Sequence, residues 1–259
     1  MIHLRSRRLD PLLVLVLPGI PLLGCPDRAP PVSGAPGPAP APAPGPPPPA
    51  RQGSIEGSIR FLGPVPPPLK VSIPADLARF CGQALEQPQA VVGEGGGLSE
   101  VVAWVAGARG PLSAAPAPPP LDQRGCAFHP RVVAAAEGGQ LTVINSDPLL
   151  HNVRTASPTD RPANVAMPIT GMKVQIPLAA TPAVVRLTCD VHPWMVAHVH
   201  TFDHPYFAVS GADGRFAIRG APAGKQVLQL WHPSLGEHQV EVEVPEGGVA
   251  RPQIDWPAR

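Results

Sequence analysis

Four side chains suited to soft metal ions lie in two short segments of the 259-residue chain. Cys189, His192 and Met195 follow one another at three-residue spacing, and His151 stands upstream of them. Two imidazoles and a thiolate with a weak axial thioether are typical of a copper site, because Cu(I) favours sulfur and Cu(II) accepts imidazole. We therefore predict one copper ion held by this set.

Each of the two segments follows a predicted strand. An alternating run from Ala183 to Thr188 leads directly to Cys189, and a second run from Gly139 to Asn145 precedes the loop before His151. Alternation of apolar and polar residues is the pattern of a half-buried strand. The sequence therefore places the candidate ligands on loops at the ends of two strands.

These two segments resemble the cupredoxins, such as plastocyanin and pseudoazurin. The resemblance rests on Asn145 followed by His-Asn-Val at 151–153, and on Cys-x-x-His followed by Met at 189–195. It extends from about Val132 to His204. It implies a Greek-key β-sandwich in which Met195 is the axial ligand and Asn145 and Asn152 link the two ligand loops.

One spacing departs from that family. Small cupredoxins commonly have the methionine four residues after the histidine, whereas here only Pro193 and Trp194 separate His192 from Met195. The tighter loop leaves the type of copper centre open. If His192 is partly exposed, it is the expected exit route for electrons.

The N-terminus predicts export and a lipid anchor. A basic start precedes an apolar run from Leu12 to Leu23, which two prolines interrupt and which is shorter than the roughly 20 residues that span a bilayer. Leu-Leu-Gly-Cys at 22–25 resembles a bacterial lipobox, which implies an acylated Cys25. We expect a periplasmic protein on a membrane, with a mild preference for the outer one because Pro26 follows Cys25. The alternative is an ordinary secreted protein.

Two more cysteines are disulfide candidates. Cys81 and Cys126 stand in loop-like contexts beside glycines, which leaves Cys189 without a partner once Cys25 is lipidated. An unpaired thiol in an oxidising compartment is expected to be buried, intermolecular or metal-bound. The residues around Cys189 decide among these three alternatives.

The rest of the chain predicts an all-β protein with a second sandwich. Half of the residues from Pro26 to Pro49 are proline, so this stretch is expected to be a disordered, extended linker. Asp213-Gly214 between two apolar runs predicts a hairpin. The segment from Asp213 to Lys225 resembles carboxypeptidase regulatory-like modules, which have a prealbumin-like sandwich. The opening strand of those modules matches Gly53 to Ile59, far upstream in this chain.

An insertion explains that separation. We predict a signal peptide at 1–24, the lipidated cysteine and linker at 25–52, the first part of the regulatory-like sandwich at 53–110, the cupredoxin-like copper domain at 111–204 and the second part of the sandwich at 205–259. The alternative is two sequential domains with an N-terminal extension.

Six further histidines are assigned no role in the copper site. His198 and His200 alternate with valine and are predicted to point outward, and a second surface metal site that includes His204 is the minority alternative. Three others are predicted to be solvated, namely His129, His232 and His238.

Charge and motifs narrow the function. A net charge of +1 argues against a nucleic-acid partner, and no hydrolase or phosphate-loop motif is present. The resemblance implies a one-electron carrier for a periplasmic redox protein rather than an enzyme. The alternatives are a non-redox binding module for a polysaccharide or protein with a copper storage or sensing site, and an accessory to an oxidase. The oligomeric state stays open.

Overall fold

The computed structural model describes residues 51–156 and 163–258. The predicted signal peptide, Cys25 and almost all of the linker lie outside these ranges. Among the residues described, no helix is long and apolar enough to cross a membrane.

Strands dominate this part of the chain, so the all-β fold class is confirmed. The single α-helix in these ranges is α1 (Ala78–Cys81), and 3-10 turns lie at Glu94–Gly96 and Leu112–Ala114. The strands are β1 (Gln52–Leu62), β2 (Leu69–Ser72), β3 (Ala84–Gln87), β4 (Val102–Val105), β5 (Leu121–Arg124), β6 (Ala127–His129), β7 (Val132–Ala136), β8 (Gln140–Asn145), β9 (His151–Ala156), β10 (Asn164–Met167), β11 (Lys173–Pro177), β12 (Ala183–Thr188), β13 (Val196–Phe202), β14 (Phe207–Val209), β15 (Arg215–Pro222), β16 (Gly224–His232), β17 (Gly236–Val244), β18 (Val249–Ala250) and β19 (Gln253–Pro257).

Two sheets form a cupredoxin-like sandwich around the first core. One sheet has the order β10-β9-β12-β13-β7 and the other β11-β8-β5-β6. Alternate residues of β8 and β12 face the same core, because side chains on a strand point to opposite faces in turn. The strand predicted at 183–188 is observed with those bounds, and the one predicted at 139–145 begins one residue later.

A second core lies between two other sheets. One contains β15-β1-β18 with β19 also paired to β1, and the other has the order β14-β4-β16-β17. Strands from before and after the cupredoxin-like sandwich therefore share the same sheets. The side chains between them include Ile55, Leu98, Leu228 and Trp256. The domain boundaries and the prealbumin-like assignment stay predictions.

The predicted hairpin at Asp213-Gly214 is wrong. The turn itself forms, since the amide of Gly211 donates to the carbonyl of Arg215 over 2.9 Å. However, β14 pairs with β4, whereas β15 pairs with β1 in the opposite sheet. The turn therefore carries the chain from one sheet to the other, because each strand pairs with a partner that is distant in sequence.

A short segment between β1 and β4 packs on the first core rather than the second. We call residues 69–87 the cap: β2 and β3 pair with each other, and α1 lies between them. Cys81 is buried in the first core, and Ile73, Leu77 and Leu85 pack against it. In the sequence, the candidate pairing of Cys81 with Cys126 is the feature that indicates this contact.

Candidate metal centre

Paired strands bring the predicted ligands to one edge of the sandwich. His151 begins β9, and Cys189 follows directly after β12. These two strands are neighbours, with Thr188 opposite Arg154. The loop from Cys189 then carries His192 and Met195 before β13 begins. The two ligand segments therefore lie side by side although they are far apart in the sequence.

Three donor atoms form a compact triangle. Cys189 Sγ lies 3.8 Å from His151 Nδ1 and 3.7 Å from His192 Nδ1, and the two nitrogens are 2.9 Å apart. A metal in a trigonal plane, with bonds of about 2.0 Å to nitrogen and 2.3 Å to sulfur, requires S···N distances of about 3.7 Å and an N···N distance of about 3.5 Å. The two S···N distances match these values. The shorter N···N distance would reduce the nitrogen–metal–nitrogen angle from about 120° to about 90°. The arrangement fits one small, soft metal ion.

A carboxylate fixes the orientation of the first imidazole. His151 Nε2 lies 2.9 Å from Asp147 Oδ2, so its Nδ1 is the nitrogen that faces the thiol. Burial opposes the charged imidazole, but hydrogen bonds that its ring donates to Asp147 and Cys189 raise the pKa of His151 to about 9. Carboxylate–histidine pairs of this kind set the ring orientation and basicity of metal ligands.

The cysteine is poised as a thiolate. Burial favours the neutral thiol, yet contacts with His151 and His192 lower the pKa of Cys189 to about 6. The backbone amide of Asn152 also donates to Sγ over 3.5 Å. Because only the thiolate ligates a metal strongly, this environment favours coordination.

The two asparagines stand where they can link the loops. Asn152 Oδ1 accepts the backbone amide of Asp190 over 2.6 Å and lies 3.3 Å from Cys189 Sγ. Asn145 Nδ2 donates to the carbonyl oxygens of Leu149 and Met167 over 2.9 and 2.7 Å. Asn152 thus joins the two ligand segments directly, whereas Asn145 holds the loop that leads to His151.

Met195 lies in the same core as Cys189 and is 1% exposed. Its backbone amide donates to the carbonyl of His192 over 2.8 Å, which closes a tight turn between the two residues. Only Pro193 and Trp194 separate the two residues, and this turn is the conformation that the short loop adopts.

His192 is not exposed, so the condition under which its ring was expected to be the exit route for electrons is not met. Its exposed fraction is 0%. One of its ring nitrogens lies within 4.8 Å of both sulfurs of a disulfide that joins Cys81 in the cap to Cys126. Trp194 Nε1 donates to the carbonyl of Cys126 over 3.1 Å, and Gln87 Nε2 of the cap donates to the carbonyl of Trp194 over 2.6 Å. The cap therefore covers the imidazole.

Two histidines predicted to face outward are instead packed against the second sandwich. The ring of His200 lies 4.9 Å from Trp104 of β4, and the ring of His198 lies 5.5 Å from Trp231 of β16. The other face of β13 already packs in the first core, so these side chains fill the contact with the neighbouring sheet. His204 is buried as well, and neither group of three donors found in residues 51–156 and 163–258 includes any of the three.

The remaining histidines differ among themselves. His232 is 0% exposed, and its Nδ1 accepts the backbone amides of Ser234 and Leu235, so the prediction that it is solvated is wrong. His129 is exposed, and His238 is half-buried beside Trp256. The hydrogen bonds that His232 accepts from the turn after it satisfy one nitrogen of the buried ring, and the sequence pattern did not reveal them.

Two features of the site were missed from sequence. Asp147 stands four residues before His151, and that proximity was the available signal. For the cap, the candidate pairing of Cys81 with Cys126 was the available signal, because nothing else in residues 69–87 indicates a contact with the ligand loop.

Comparisons with known proteins return cupredoxins at low similarity. No family model matches the chain, and no curated protein matches it. Among solved structures, a purple cupredoxin from Nitrosopumilus maritimus is 22% identical over 29% of this chain and 81% of its own, with a TM-score of 0.26. A reduced amicyanin variant is 14% identical over 39% of this chain and 98% of its own, with a TM-score of 0.30.

A larger enzyme also matches. The copper-containing nitrite reductase of Thermus scotoductus is 19% identical over 38% of this chain, with a TM-score of 0.28. The match spans only 24% of the reductase. At such values none of these likenesses bears on the activity of the chain.

Proposed function

We propose that the protein binds one copper ion through His151, Cys189, His192 and Met195 and carries single electrons. A copper ion in this donor set supplies a Cu(I)/Cu(II) couple, because thiolate and thioether suit the reduced ion and imidazole suits the oxidised one. The observation that carries the proposal is the buried triangle formed by the thiol and the two imidazole nitrogens.

The hydrogen bonds around the donors favour electron transfer over exchange of ligands. Asp147 holds the His151 ring, and Asn152 holds the thiol and the backbone beside it. His151 and His192 are both completely buried. A rigid, dry donor set reorganises little when one electron arrives or leaves, which supports a carrier rather than an enzyme that admits substrate to the metal.

A redox partner would dock on exposed apolar side chains of the ligand loops. Leu150 precedes His151 and is 45% exposed, and Val191 precedes His192 and is 43% exposed. These two side chains would offer a transient partner apolar contacts next to the ligand residues. We include in the proposal the lipid anchor at Cys25 and a periplasmic location, which are supported by the N-terminal sequence alone.

The test is a Cu(II) titration of the protein and of Cys189→Ser, followed by visible spectroscopy. We expect an intense thiolate-to-copper band at one equivalent in the native sequence and its loss in the variant. His129→Gln changes an exposed histidine and is the matched control, which should keep the band. A variant with an unchanged band would contradict ligation by Cys189.

The same sample separates the carrier from the non-redox binding module. Ascorbate should bleach the band, and an oxidised one-electron acceptor should restore it. A bound copper that ascorbate does not reduce would contradict the carrier and support a storage or sensing site.

A further inference from the structure

A second group of soft donors shares His192 with the proposed copper centre. A ligand nitrogen of His192 and the sulfurs of Cys81 and Cys126 all lie within 4.8 Å of one another. All three residues are buried, with exposed fractions of 0%, 5% and 0%. In the structure the two sulfurs form a disulfide, which leaves no thiolate to bind a metal.

The ring of His192 has one nitrogen to spare. Its Nδ1 faces His151 and Cys189, at 2.9 and 3.7 Å. Its Nε2 is buried and has no hydrogen-bond partner among the residues that the structure describes. A buried donor or acceptor without a partner is unfavourable, so a group in this state needs an explanation.

We propose that the reduced Cys81–Cys126 pair and His192 form a second site, specific for Cu(I), through which copper enters the protein. This proposal rests on the proposed copper function of Cys189. Two thiolates and an imidazole are a donor set that selects Cu(I), because soft sulfur ligands favour the reduced ion.

The chemistry balances with a dithiol as reductant. The dithiol gives two electrons and two protons to the disulfide and becomes a disulfide itself, so the Cys81–Cys126 bond breaks and two thiols form. Binding of Cu(I) then displaces the thiol protons, and the oxidation state of copper does not change. After the copper has left, thiol–disulfide exchange with an external disulfide, which takes up the two electrons and two protons and becomes a dithiol, restores the Cys81–Cys126 bond and closes the site.

Contacts other than the disulfide keep the two cysteines in place. The carboxylate of Asp147 accepts the backbone amides of Gly125 and Cys126 over 2.7 and 2.9 Å. Cys81 ends α1, where its amide donates to the carbonyl of Leu77 over 2.9 Å. The Cα atoms are 5.4 Å apart, so two thiolates can converge on one ion without movement of the backbone. Reduction therefore leaves a preformed pair of thiols.

The shared imidazole explains how copper would reach Cys189. A ring nitrogen of His192 lies within 4.8 Å of the sulfurs of Cys81 and Cys126, and its Nδ1 lies 3.7 Å from Cys189 Sγ. An ion bound by Cys81 and Cys126 can exchange thiolate ligands while it remains near the same ring. In the oxidised protein the same disulfide covers His192, so the centre is closed after loading.

The experiment is a Cu(I) titration of the full chain carrying Cys189→Ser. The protein is reduced anaerobically with a dithiol, freed of the reductant and titrated in competition with a chromogenic Cu(I) chelator. The matched control is the double variant Cys126→Ser/Cys189→Ser. Changes around metal ligands alone cost 10–100-fold in affinity, so loss of a thiolate should weaken binding at least about 100-fold.

We expect the reduced Cys189→Ser protein to bind Cu(I). The disulfide form of Cys189→Ser should bind Cu(I) no more tightly than the reduced double variant does. Equal affinity of the reduced single and double variants, with unchanged circular dichroism, would overturn the proposal. The native sequence provides a measurement that needs no variant, because its reduced form should take up one more equivalent of Cu(I) than its disulfide form. Equal uptake would also overturn the second site, whereas failure of the proposed carrier would appear as a missing visible band in the disulfide form.

Discussion

A single carboxylate connects most of the metal centre. Asp147 contacts the ring of His151 and also accepts the backbone amides at the Cys126 turn. Its own amide donates to Asn145 Oδ1 over 3.0 Å, and it is 7% exposed. A buried negative charge beside a ligand stabilises the more highly charged state of a metal. Asp147 is therefore expected to favour Cu(II) over Cu(I).

Asp147→Asn should raise the reduction potential of the copper centre. The change removes the negative charge and weakens the hold on the His151 ring. Loss of such a partner lowers metal affinity about 10- to 100-fold, and if Cu(II) bears most of that loss, the potential rises by about 60–120 mV. A redox titration of the visible band measures the shift.

Asp190→Asn is the matched control for that experiment. Asp190 follows Cys189 directly, but its side chain is 43% exposed and solvent screens its charge. It should shift the potential less than Asp147→Asn. Equal shifts in the two variants would show that Asp147 acts only as one charge among several.

Short-range spacing was sufficient to find the donors but not their surroundings. Cys189 and His192 are three residues apart, so one loop brings them together wherever the rest of the chain lies. The burial of His192 depends instead on Cys81, more than a hundred residues away in the sequence, and on the cap that carries it. A contact between segments so distant leaves no local pattern in the sequence.

At the scale of elements, the Asp213-Gly214 pair predicts a turn correctly but predicts the pairing of the two flanking strands wrongly. The Asp-Gly pair forms a turn, as its backbone preference predicts. The flanking strands nevertheless lie in different sheets. The carbonyl of Gly214 accepts the amide of Ile59 over 2.9 Å, so the turn is anchored on β1. Strand pairing across the core, rather than the turn, decided the topology.

Gly214→Ala should destabilise the protein by several kcal/mol. Gly214 has a φ of +75°, and an added Cβ would meet the backbone of Ile59, Gly97 and Leu98. The left-handed conformation alone costs about 1–2 kcal/mol for a residue with a side chain, and overpacking adds about 1–3 kcal/mol. Urea unfolding followed by circular dichroism measures the total.

Gly247→Ala separates the two contributions. Gly247 has a φ of +66°, but no atom lies within 4 Å of an added Cβ. This variant should lose only the conformational part, about 1–2 kcal/mol. If both variants lose the same stability, the close approach of the Gly214 turn to β1 has no energetic weight.

At the scale of the whole molecule, histidines and aromatic residues fill the contact between the two sandwiches. His200 of β13 stacks on Phe202 with ring centroids 4.3 Å apart and meets Trp104 of β4. His232 of β16 is completely buried as well, on the face of its strand that also bears Leu228 and Leu230 of the second core. Burial lowers the pKa of each of these two histidines to about 4. Both are therefore neutral in the folded protein at neutral pH.

The stability of the protein should fall as the pH drops from about 6.5 to about 4. In this window the unfolded chain binds protons at His200 and His232 with the ordinary pKa of 6.5, whereas the folded protein does not. Each group then contributes a loss of up to about 3 kcal/mol, since one pKa unit corresponds to 1.36 kcal/mol. Above this range the free energy of unfolding is not reduced by these two groups. Below it, both groups are protonated in the folded and the unfolded chain, so they cause almost no further change with pH.

His200→Phe tests this dependence, because the variant keeps an aromatic ring and removes the nitrogens that titrate. One of these nitrogens, Nδ1, is buried without a partner among the residues that the structure covers. Urea unfolding of the copper-loaded protein at pH 7 and pH 5 should show a smaller loss in the variant than in the native sequence. His129→Phe alters an exposed histidine of β6 and should leave the loss unchanged. If His200→Phe and the native sequence lose the same stability between the two pH values, protonation of His200 does not cause the acid sensitivity. It then belongs to the other histidines whose pKa burial lowers, namely His198, His204 and His232, or to the metal centre.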